Sequence, residues 1–146
     1  VFFGFVPVCG TYYVQAYTLN MDVLVLSLVS GLAIDTLLMV NNYRDREQDA
    51  VSGKCTLVVR YGRKFGENMY LGLGIAATLL CLWFVNTGRL TLIEFIWAPC
   101  VYLCMHALTW RKMVNIRSGK GLNRILGETS RNMLFLGILL AVALAA

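Results

Sequence analysis

A cluster of acidic and amide side chains lies in the segment NNYRDREQDAVSGK, which runs from Asn41 to Lys54. Asn41, Asp45 and Asp49 are spaced four residues apart, so a helix that continued to Gly53 would place all three on one face, each about 6 Å further along the axis. Gly53 is a typical helix-terminating residue. Carboxylates near the C-terminal end of a helix are disfavoured by its dipole, and a bound cation would offset that cost. Mg²⁺ prefers oxygen ligands and often links carboxylates to substrate phosphates, so the spacing is compatible with a site for magnesium and a diphosphate leaving group.

Basic side chains follow the acids in the segment GKCTLVVRYGRKFG, residues 53–66. Lys54, Arg60, Arg63 and Lys64 are placed to contact a diphosphate beside the metal. The same pattern has a simpler explanation, in which a helix end with mixed charges is solvated next to a basic cytoplasmic loop. Spacing alone favours this simpler explanation over a catalytic site.

Long apolar runs surround the charged segment. The chain has 146 residues, of which 58% are hydrophobic and 14% charged, whereas a soluble domain carries about 25% charged residues. Five runs approach the roughly 20 residues that a helix needs to cross a bilayer core of about 30 Å, and none alternates as a β-barrel strand would. These runs are residues 1–17, 23–40, 69–85, 92–110 and 129–146. The sequence therefore predicts an all-α, polytopic bundle of five transmembrane helices that forms a single domain over residues 1–146.

The distribution of charge indicates the topology. The net charge is +5, and every basic residue except Arg89 lies within residues 44–64 or 111–131. In a five-helix bundle these two connections face the same side, which the positive-inside rule assigns to the cytoplasm. Since no basic stripe lies on a soluble module, nucleic acid is not an expected partner.

Polar residues within the spans have structural explanations beside functional ones. Cys100 and Cys104, with His106 nearby, hint at a metal site, but no zinc-ligand spacing is present and packing is the favoured explanation. Asp35 lies deep in the second span, where it either forms the polar wall of a cavity or hydrogen-bonds a neighbouring helix. Glu94 lies close enough to the membrane interface to need no function.

The charged segment is more specific than its spacing. NNYRDREQDAVSGKCTLVVRYG resembles the second aspartate-rich motif of the UbiA superfamily of intramembrane prenyltransferases, and most closely its MenA-type branch, which prenylates 1,4-dihydroxy-2-naphthoate in menaquinone synthesis. The branch pattern is approximately N-N-x-R-D-x-x-x-D followed by G-K-x-T-L-x-V-R-x-G. The matching positions are Asn41, Asn42, Arg44, Asp45, Asp49, Gly53, Lys54, Thr56, Leu57, Val59, Arg60 and Gly62. Cys55 replaces the usual basic residue, which removes one charge contact but no metal ligand.

Two further segments are similar to the same branch, GTYYVQ at Gly10–Gln15 and LNRILGETSR at Leu122–Arg131. The resemblance implies a fold of about nine transmembrane helices with two aspartate-rich motifs facing each other across a central cavity. This sequence has five spans and one motif, and the first motif, of the N-D-x-x-D-x-x-x-D kind, is absent. It therefore looks like the C-terminal half of such an enzyme, as the abrupt start at Val1 also suggests, and the fragment alone is expected to be inactive.

The resemblance also implies a reaction. A polyprenyl group is transferred from polyprenyl diphosphate to 1,4-dihydroxy-2-naphthoate, with loss of CO₂ and diphosphate, to give demethylmenaquinol. Asp45, Asp49 and Lys54 would be the catalytic residues, with Mg²⁺ as cofactor and with Asp45, Asp49 and Asn41 as its ligands. The residues implied to bind substrate are Asn41, Asn42, Arg44, Lys54 and Arg60. The expected location is the bacterial inner membrane, in contact with lipid and with the active-site loop in the cytoplasm.

Other functional classes remain open. A small transporter or channel subunit would use Asp35 and Asp45 as an ion path. A noncatalytic membrane scaffold would bind neither Mg²⁺ nor diphosphate. A phosphatidyl-group transferase is disfavoured because its D-G-x-x-A-R pattern is missing from the sequence.

Overall fold

The computed structural model describes residues 2–145, of which Ala145 is described only by its backbone. The described residues form helices joined by short turns, without a strand among them. In chain order the helices are α1 (Phe2–Ala16), α2 (Met21–Arg44), α3 (Arg46–Val51), α4 (Leu57–Tyr61), α5 (Arg63–Leu80), α6 (Leu82–Asn86), α7 (Leu92–Phe95), a π-helical turn (Ile96–Cys100), α8 (Val101–Ile116) and α9 (Leu122–Ala145).

Four stretches of helix among the described residues are long and apolar enough to cross a membrane. They are Met21–Arg44, Arg63–Asn86, Leu92–Ile116 and Leu122–Leu144. The predicted all-helical membrane bundle is thus confirmed, with four such stretches where the sequence predicted five. The first predicted span is a helix of 15 residues, which at 1.5 Å per residue is about 22 Å long and shorter than a bilayer core.

Two of the spans begin earlier than the sequence predicted. Helix α5 begins at Arg63 and α9 at Leu122, six and seven residues before the predicted starts at 69 and 129. Charged residues in these first turns resembled loop residues, but the fold provides them with partners. Glu67 accepts a hydrogen bond from the Tyr43 hydroxyl at 2.8 Å, and Glu128 accepts hydrogen bonds from two basic side chains.

Helix α2 occupies the centre of the bundle, packed against α1, α5 and α9. Small residues permit its closest approach to α1, because a Cβ added to Gly4 would clash with the backbone of Gly31 and Ser27. One core cluster lies along the apolar half of α2 and includes Val29 and Phe84. A second lies toward its charged end.

The fourth span is not a continuous α-helix. It begins with a capping box, in which the Thr91 amide donates to Glu94 at 2.6 Å and the Glu94 amide donates to the Thr91 hydroxyl at 3.2 Å. This contact supports the structural explanation for Glu94. The π-helical turn includes Pro99, whose missing N–H interrupts the usual hydrogen-bond ladder.

The charged connections meet at one end of the bundle. The indole of Trp110 in α8 donates to the Glu67 carbonyl of α5 at 2.9 Å, and Arg44 of α2 reaches Asn123 of α9 at 3.1 Å. These contacts bring the last turns of α2 and α8 beside the first turns of α5 and α9. The structure thus places both basic stretches at the same end, where the sequence predicted them to be.

Candidate functional site

The acidic segment is bent at Asp45. Its backbone has φ −90° and ψ 5° and separates α2 from α3, so the prediction of one continuous helix to Gly53 is wrong. The hydrogen bonds on both sides survive the bend, with the Asp45 amide donating to the Asn41 carbonyl at 2.9 Å and the Asp49 amide to the Asp45 carbonyl at 2.7 Å. The four-residue hydrogen-bond repeat therefore persists, although the Asp45 backbone departs from α-helical geometry.

Asp45 and the preceding Arg44 form a two-pronged ion pair. Arg44 Nε lies 2.7 Å from Asp45 Oδ1, and Nη2 lies 2.7 Å from Oδ2. Hydrogen bonding to the guanidinium lowers the pKa of the Asp45 carboxyl from its ordinary value, so the group is fully ionised at neutral pH. Arg44 Nη1 also donates to Asn123 Oδ1 at 3.1 Å, which ties the pair to α9.

Asp49 is in a different situation. Its side chain is nearly buried, with 8% of the residue exposed. Lys54 Nζ lies 3.4 Å from its Oδ1 atom, and its Oδ2 atom is buried with no hydrogen-bond partner among the described residues. A buried carboxylate oxygen without a donor is unfavourable, so Asp49 holds an acceptor that a ligand could satisfy.

A glycine turn brings Lys54 back to Asp49. Gly53 has φ +77°, its amide donates to the Ala50 carbonyl at 3.3 Å, and the Lys54 amide donates to the Asp49 carbonyl at 2.9 Å. These two bonds define a Schellman motif and confirm that Gly53 terminates the helix. The local fold thus places a cation, 63% exposed at its side chain, beside the buried acid.

The remaining predicted site residues are less closely associated. Asn41 and Asn42 are half-buried on the last turns of α2. Arg60 is exposed at the end of α4, with its guanidinium 5.4 Å from the centre of the Tyr61 ring. The structure therefore joins Arg44 to Asp45 and Lys54 to Asp49, and it shows no contact between Arg60 and either acid.

The donor atoms of the acidic segment suit Mg²⁺ only in part. Across residues 2–145, no three histidine, cysteine, aspartate or glutamate side chains are close enough together to hold a metal ion. The individual donors nonetheless suit Mg²⁺, because Asp45 and Asp49 supply carboxylate oxygens, Asn41 supplies an amide oxygen, and one Asp49 oxygen is unpartnered. The residues therefore fit part of a magnesium site.

The predicted structural role of His106 is supported by its surroundings. The residue is fully buried, its ring stacks on Tyr70 at 4.3 Å and on Tyr102 at 5.6 Å, and its Nε2 atom lies 2.9 Å from the Tyr70 carbonyl. A Cβ added to Gly74 would clash with its ring. His106 therefore packs α8 against α5, away from the acidic segment.

Sequence reasoning missed the link between Arg44 and Asn123. The two residues are 79 positions apart, so periodicity offers no signal for it. The segment LNRILGETSR, which includes Asn123, was singled out only by its resemblance to the same branch. That resemblance was the available hint that the start of α9 supports the acidic segment.

Comparison with known proteins places the chain among prenyltransferases. The UbiA prenyltransferase family matches residues 1–139. A protein of Mycobacterium leprae named 1,4-dihydroxy-2-naphthoate octaprenyltransferase is 35% identical over 99% of this chain and 47% of its own length. One of Haemophilus influenzae with the same name is 41% identical over 56% of this chain and 26% of its own length.

The chain spans about half the length of the relative that it matches nearly end to end. A Mycobacterium tuberculosis protein with the same name gives the same picture, at 35% identity over 99% of the chain and 48% of that protein. No solved structure matches the chain.

Proposed function

Since the chain belongs to the UbiA prenyltransferase family, we propose that it provides the second aspartate-rich motif of an enzyme that makes demethylmenaquinol. The proposed reaction joins the polyprenyl group of a polyprenyl diphosphate to 1,4-dihydroxy-2-naphthoate, with loss of CO₂ and diphosphate. The names of the relatives from Mycobacterium and Haemophilus support this choice of acceptor. The observation that carries the proposal is the buried, incompletely paired Asp49 beside Asp45, because such an acid needs a cation.

Asp45 and Asp49 would hold Mg²⁺, with Asn41 assisting from one turn earlier. When bound, the ion neutralises the charge that develops on the diphosphate as its bond to the prenyl group breaks. Both oxygens of Asp45 accept hydrogen bonds from Arg44, and each oxygen keeps a second lone pair with which it could coordinate the ion. Arg44 would lie beside the ion and help to bind the diphosphate oxygens.

The basic residues of the segment orient the leaving group. Lys54 is mostly exposed and only 3.4 Å from Asp49, so its ammonium can move to a diphosphate oxygen at little cost. Arg60 lies at the end of α4 and would contact the diphosphate from its far side. The lysine that screens Asp49 in the free protein thus becomes a substrate contact in the complex.

The apolar bundle protects the reacting group from water. Breaking the C–O bond sends its electron pair to the diphosphate and leaves an allylic cation, which the electron-rich ring attacks at its carboxylated carbon. Loss of CO₂ returns an electron pair to the ring. An apolar cavity of about 320 Å³ between α2 and α9 includes Ile34, about 10 Å along α2 from Asn41, and suits a prenyl tail away from solvent.

The sequence lacks a first aspartate-rich motif, and the described residues hold no complete metal group. We therefore propose that the remaining ligands come from residues outside this sequence and that the chain alone does not transfer a prenyl group. The chain is also proposed to lie in the bacterial inner membrane with its acidic segment facing the cytoplasm, in agreement with the basic residues at that end.

A chimera tests the proposal. The matched region of the Mycobacterium leprae relative would be replaced by this chain, and membranes would be assayed with octaprenyl diphosphate and 1,4-dihydroxy-2-naphthoate. We expect prenylated product that requires Mg²⁺ and disappears on chelation, while the chain alone forms none. A chimera that inserts at the level of the parent enzyme but forms no product overturns the proposal, as does ion flux through the chain in liposomes without prenyl transfer.

A further inference from the structure

A polar cavity lies at the charged end of the bundle, beside the bend in the acidic segment. Its volume is about 210 Å³, and it is bounded by the bend between α2 and α3, the first residue of α5 and the loop between α8 and α9. We call it the basic pocket, after the arginines that line it, which are Arg44, Arg46, Arg63 and Arg117. The spacing of basic residues in the sequence placed Arg63 among the contacts of a diphosphate, whereas Arg46 and Arg117 were not predicted to bind a ligand.

The basic pocket carries uncompensated positive charge. Arg44 is neutralised by Asp45 at 2.7 Å, and Arg46 has a weaker partner in the neighbouring Glu47 at 3.9 Å. The side chains of Arg63 and Arg117 form neither an ion pair nor a hydrogen bond with any residue that the structure describes. Two acids therefore balance two of the four arginines, and a charge of +2 is left facing the cavity.

The loop between α8 and α9 adds neutral donors to the same wall. Ser118 and Gly119 both line the cavity, and neither the Ser118 hydroxyl nor the Gly119 amide has a hydrogen-bond partner within residues 2–145. Two guanidinium groups, a hydroxyl and a backbone amide form a donor set that suits the oxygens of a phosphate group. A phosphate dianion would also cancel the residual charge.

The basic pocket is distinct from the proposed magnesium site. Arg44 and Asp45 lie at the boundary between them, but Asn41, Asp49, Lys54 and Arg60 do not line this cavity. Its unpaired cations come from α5 and the α8–α9 loop, which contribute no carboxylate to the magnesium site. A ligand in the basic pocket would share Arg44 with the proposed contacts of the diphosphate donor, but its unpaired cations, Arg63 and Arg117, would be separate.

We propose that the basic pocket is an accessory site for a phosphate group, either a free phosphate ion or the monoester headgroup of an anionic lipid. The cavity lies at the end of the bundle that a membrane surface would meet, so both sources reach it. The proposal does not depend on prenyl transfer and holds for the chain in any functional class. It assigns Arg63 and Arg117 a role in binding beyond their contribution to topology.

Binding would be measured on the full chain in nanodiscs, with two probes that separate the sources. One arm titrates inorganic phosphate into nanodiscs of phosphatidylcholine. The other compares retained lipid, by native mass spectrometry, in nanodiscs that contain phosphatidic acid. The test variant is R63Q/R117Q, and the matched control is K64Q/R111Q, which removes the same charge from two exposed residues that do not line this cavity.

We expect R63Q/R117Q to weaken binding in at least one arm by about tenfold or more, since hydrogen bonds to charged groups are strong, and K64Q/R111Q to leave it nearly unchanged. Loss in the first arm identifies free phosphate, and loss confined to the second identifies the lipid. An R63K/R117K variant that keeps the charge is expected to bind with intermediate affinity. Equal losses in test and control variants, or no binding in either arm by the unmodified chain, would overturn the proposal.

Discussion

Asp49 and Glu128 are two carboxylates at the same end of the bundle with the same exposure, 8% in each case, yet their surroundings differ. Glu128 accepts from Lys112 at 2.8 and 3.0 Å and from Arg124 at 3.2 Å, so both of its oxygens are paired. Asp49 has a single contact at 3.4 Å and an oxygen without a partner. Glu128 is therefore fully paired within the fold, whereas Asp49 keeps one unpaired oxygen.

The difference arises from where the partners lie. Glu128 on α9 receives Lys112 from α8 and Arg124 from one turn earlier, so tertiary packing and helical spacing act together. Asp49 pairs only with Lys54, which lies five residues later and is brought back to it by the turn at Gly53. Burying a charge is unfavourable unless it is fully paired. Glu128 therefore has a structural role, whereas Asp49 is suited to binding a ligand.

Neutralising each carboxylate in turn is the most direct test of this difference between Asp49 and Glu128. In the chimera, Asp49→Asn should lower prenyl transfer by about 10³-fold, equivalent to about 4 kcal/mol, because a ligand for charge stabilisation in the transition state is lost. Glu128→Gln should keep activity within about tenfold and should instead lower stability. Product formation in membranes, normalised to the amount of inserted protein, gives the activity of each variant relative to the unmodified chimera. Full activity of the Asp49→Asn chimera would remove Asp49 from the site.

Removing the cations tests the same comparison through stability. Lys112→Ala with Arg124→Ala leaves Glu128 buried without its ion pairs and should destabilise the chain by about 3 kcal/mol. Adding Glu128→Gln should restore part of that loss. Lys54→Ala should cost less than about 1 kcal/mol, because its contact with Asp49 is long and its side chain is mostly exposed. Unfolding of the detergent-solubilised chain in SDS measures all three, and a large effect of Lys54→Ala would contradict the comparison.

Glycine substitutions test whether the packed interface beneath these acids is rigid. Gly74→Ala should destabilise the chain by about 2 kcal/mol, because the new methyl group meets the His106 ring, which is stacked between two tyrosines. Gly72→Ala, on the same helix, has open space around the added atom and should be neutral or slightly stabilising. The same SDS unfolding assay compares the two, and equal effects would show that the interface can adjust.

Local features of the acidic segment could be predicted from its residues. Gly53 ends the helix as expected, because a residue with positive φ is needed there and glycine adopts it freely. The bend at Asp45 could not be predicted, since neither proline nor glycine marks it. At the bend Arg44 bonds to the adjacent Asp45 and also to Asn123, and the second contact lies outside local sequence.

Tertiary contacts also explain the misplaced span boundaries. Glu67 and Glu128 resemble loop residues in a hydropathy profile, but Tyr43, Lys112 and Arg124 compensate them within helices. Tyr43 and Lys112 are 24 and 16 residues away from their partners and leave no periodic signal, whereas Arg124 lies one helical turn before Glu128. The apolar runs, by contrast, indicated the bundle correctly, because lipid permits few alternatives to helices.

The Asp45 carboxylate is intermediate between Asp49 and Glu128. Both of its oxygens are paired with Arg44, but about a third of each side chain is exposed. We expect Arg44→Gln to lower stability at pH 7 by less than about 1 kcal/mol, because solvent screens the pair. The arginine lowers the pKa of Asp45, so its contribution is present above the unfolded-state pKa of about 4 and is lost as pH falls through the lower folded-state value. SDS unfolding of the chain and the variant at pH values from 7 to 3 should therefore show curves that converge on acidification. If the difference in stability between the chain and the variant widened toward pH 3, Arg44 would stabilise the fold through another contact. Its hydrogen bond to Asn123 would be the first candidate.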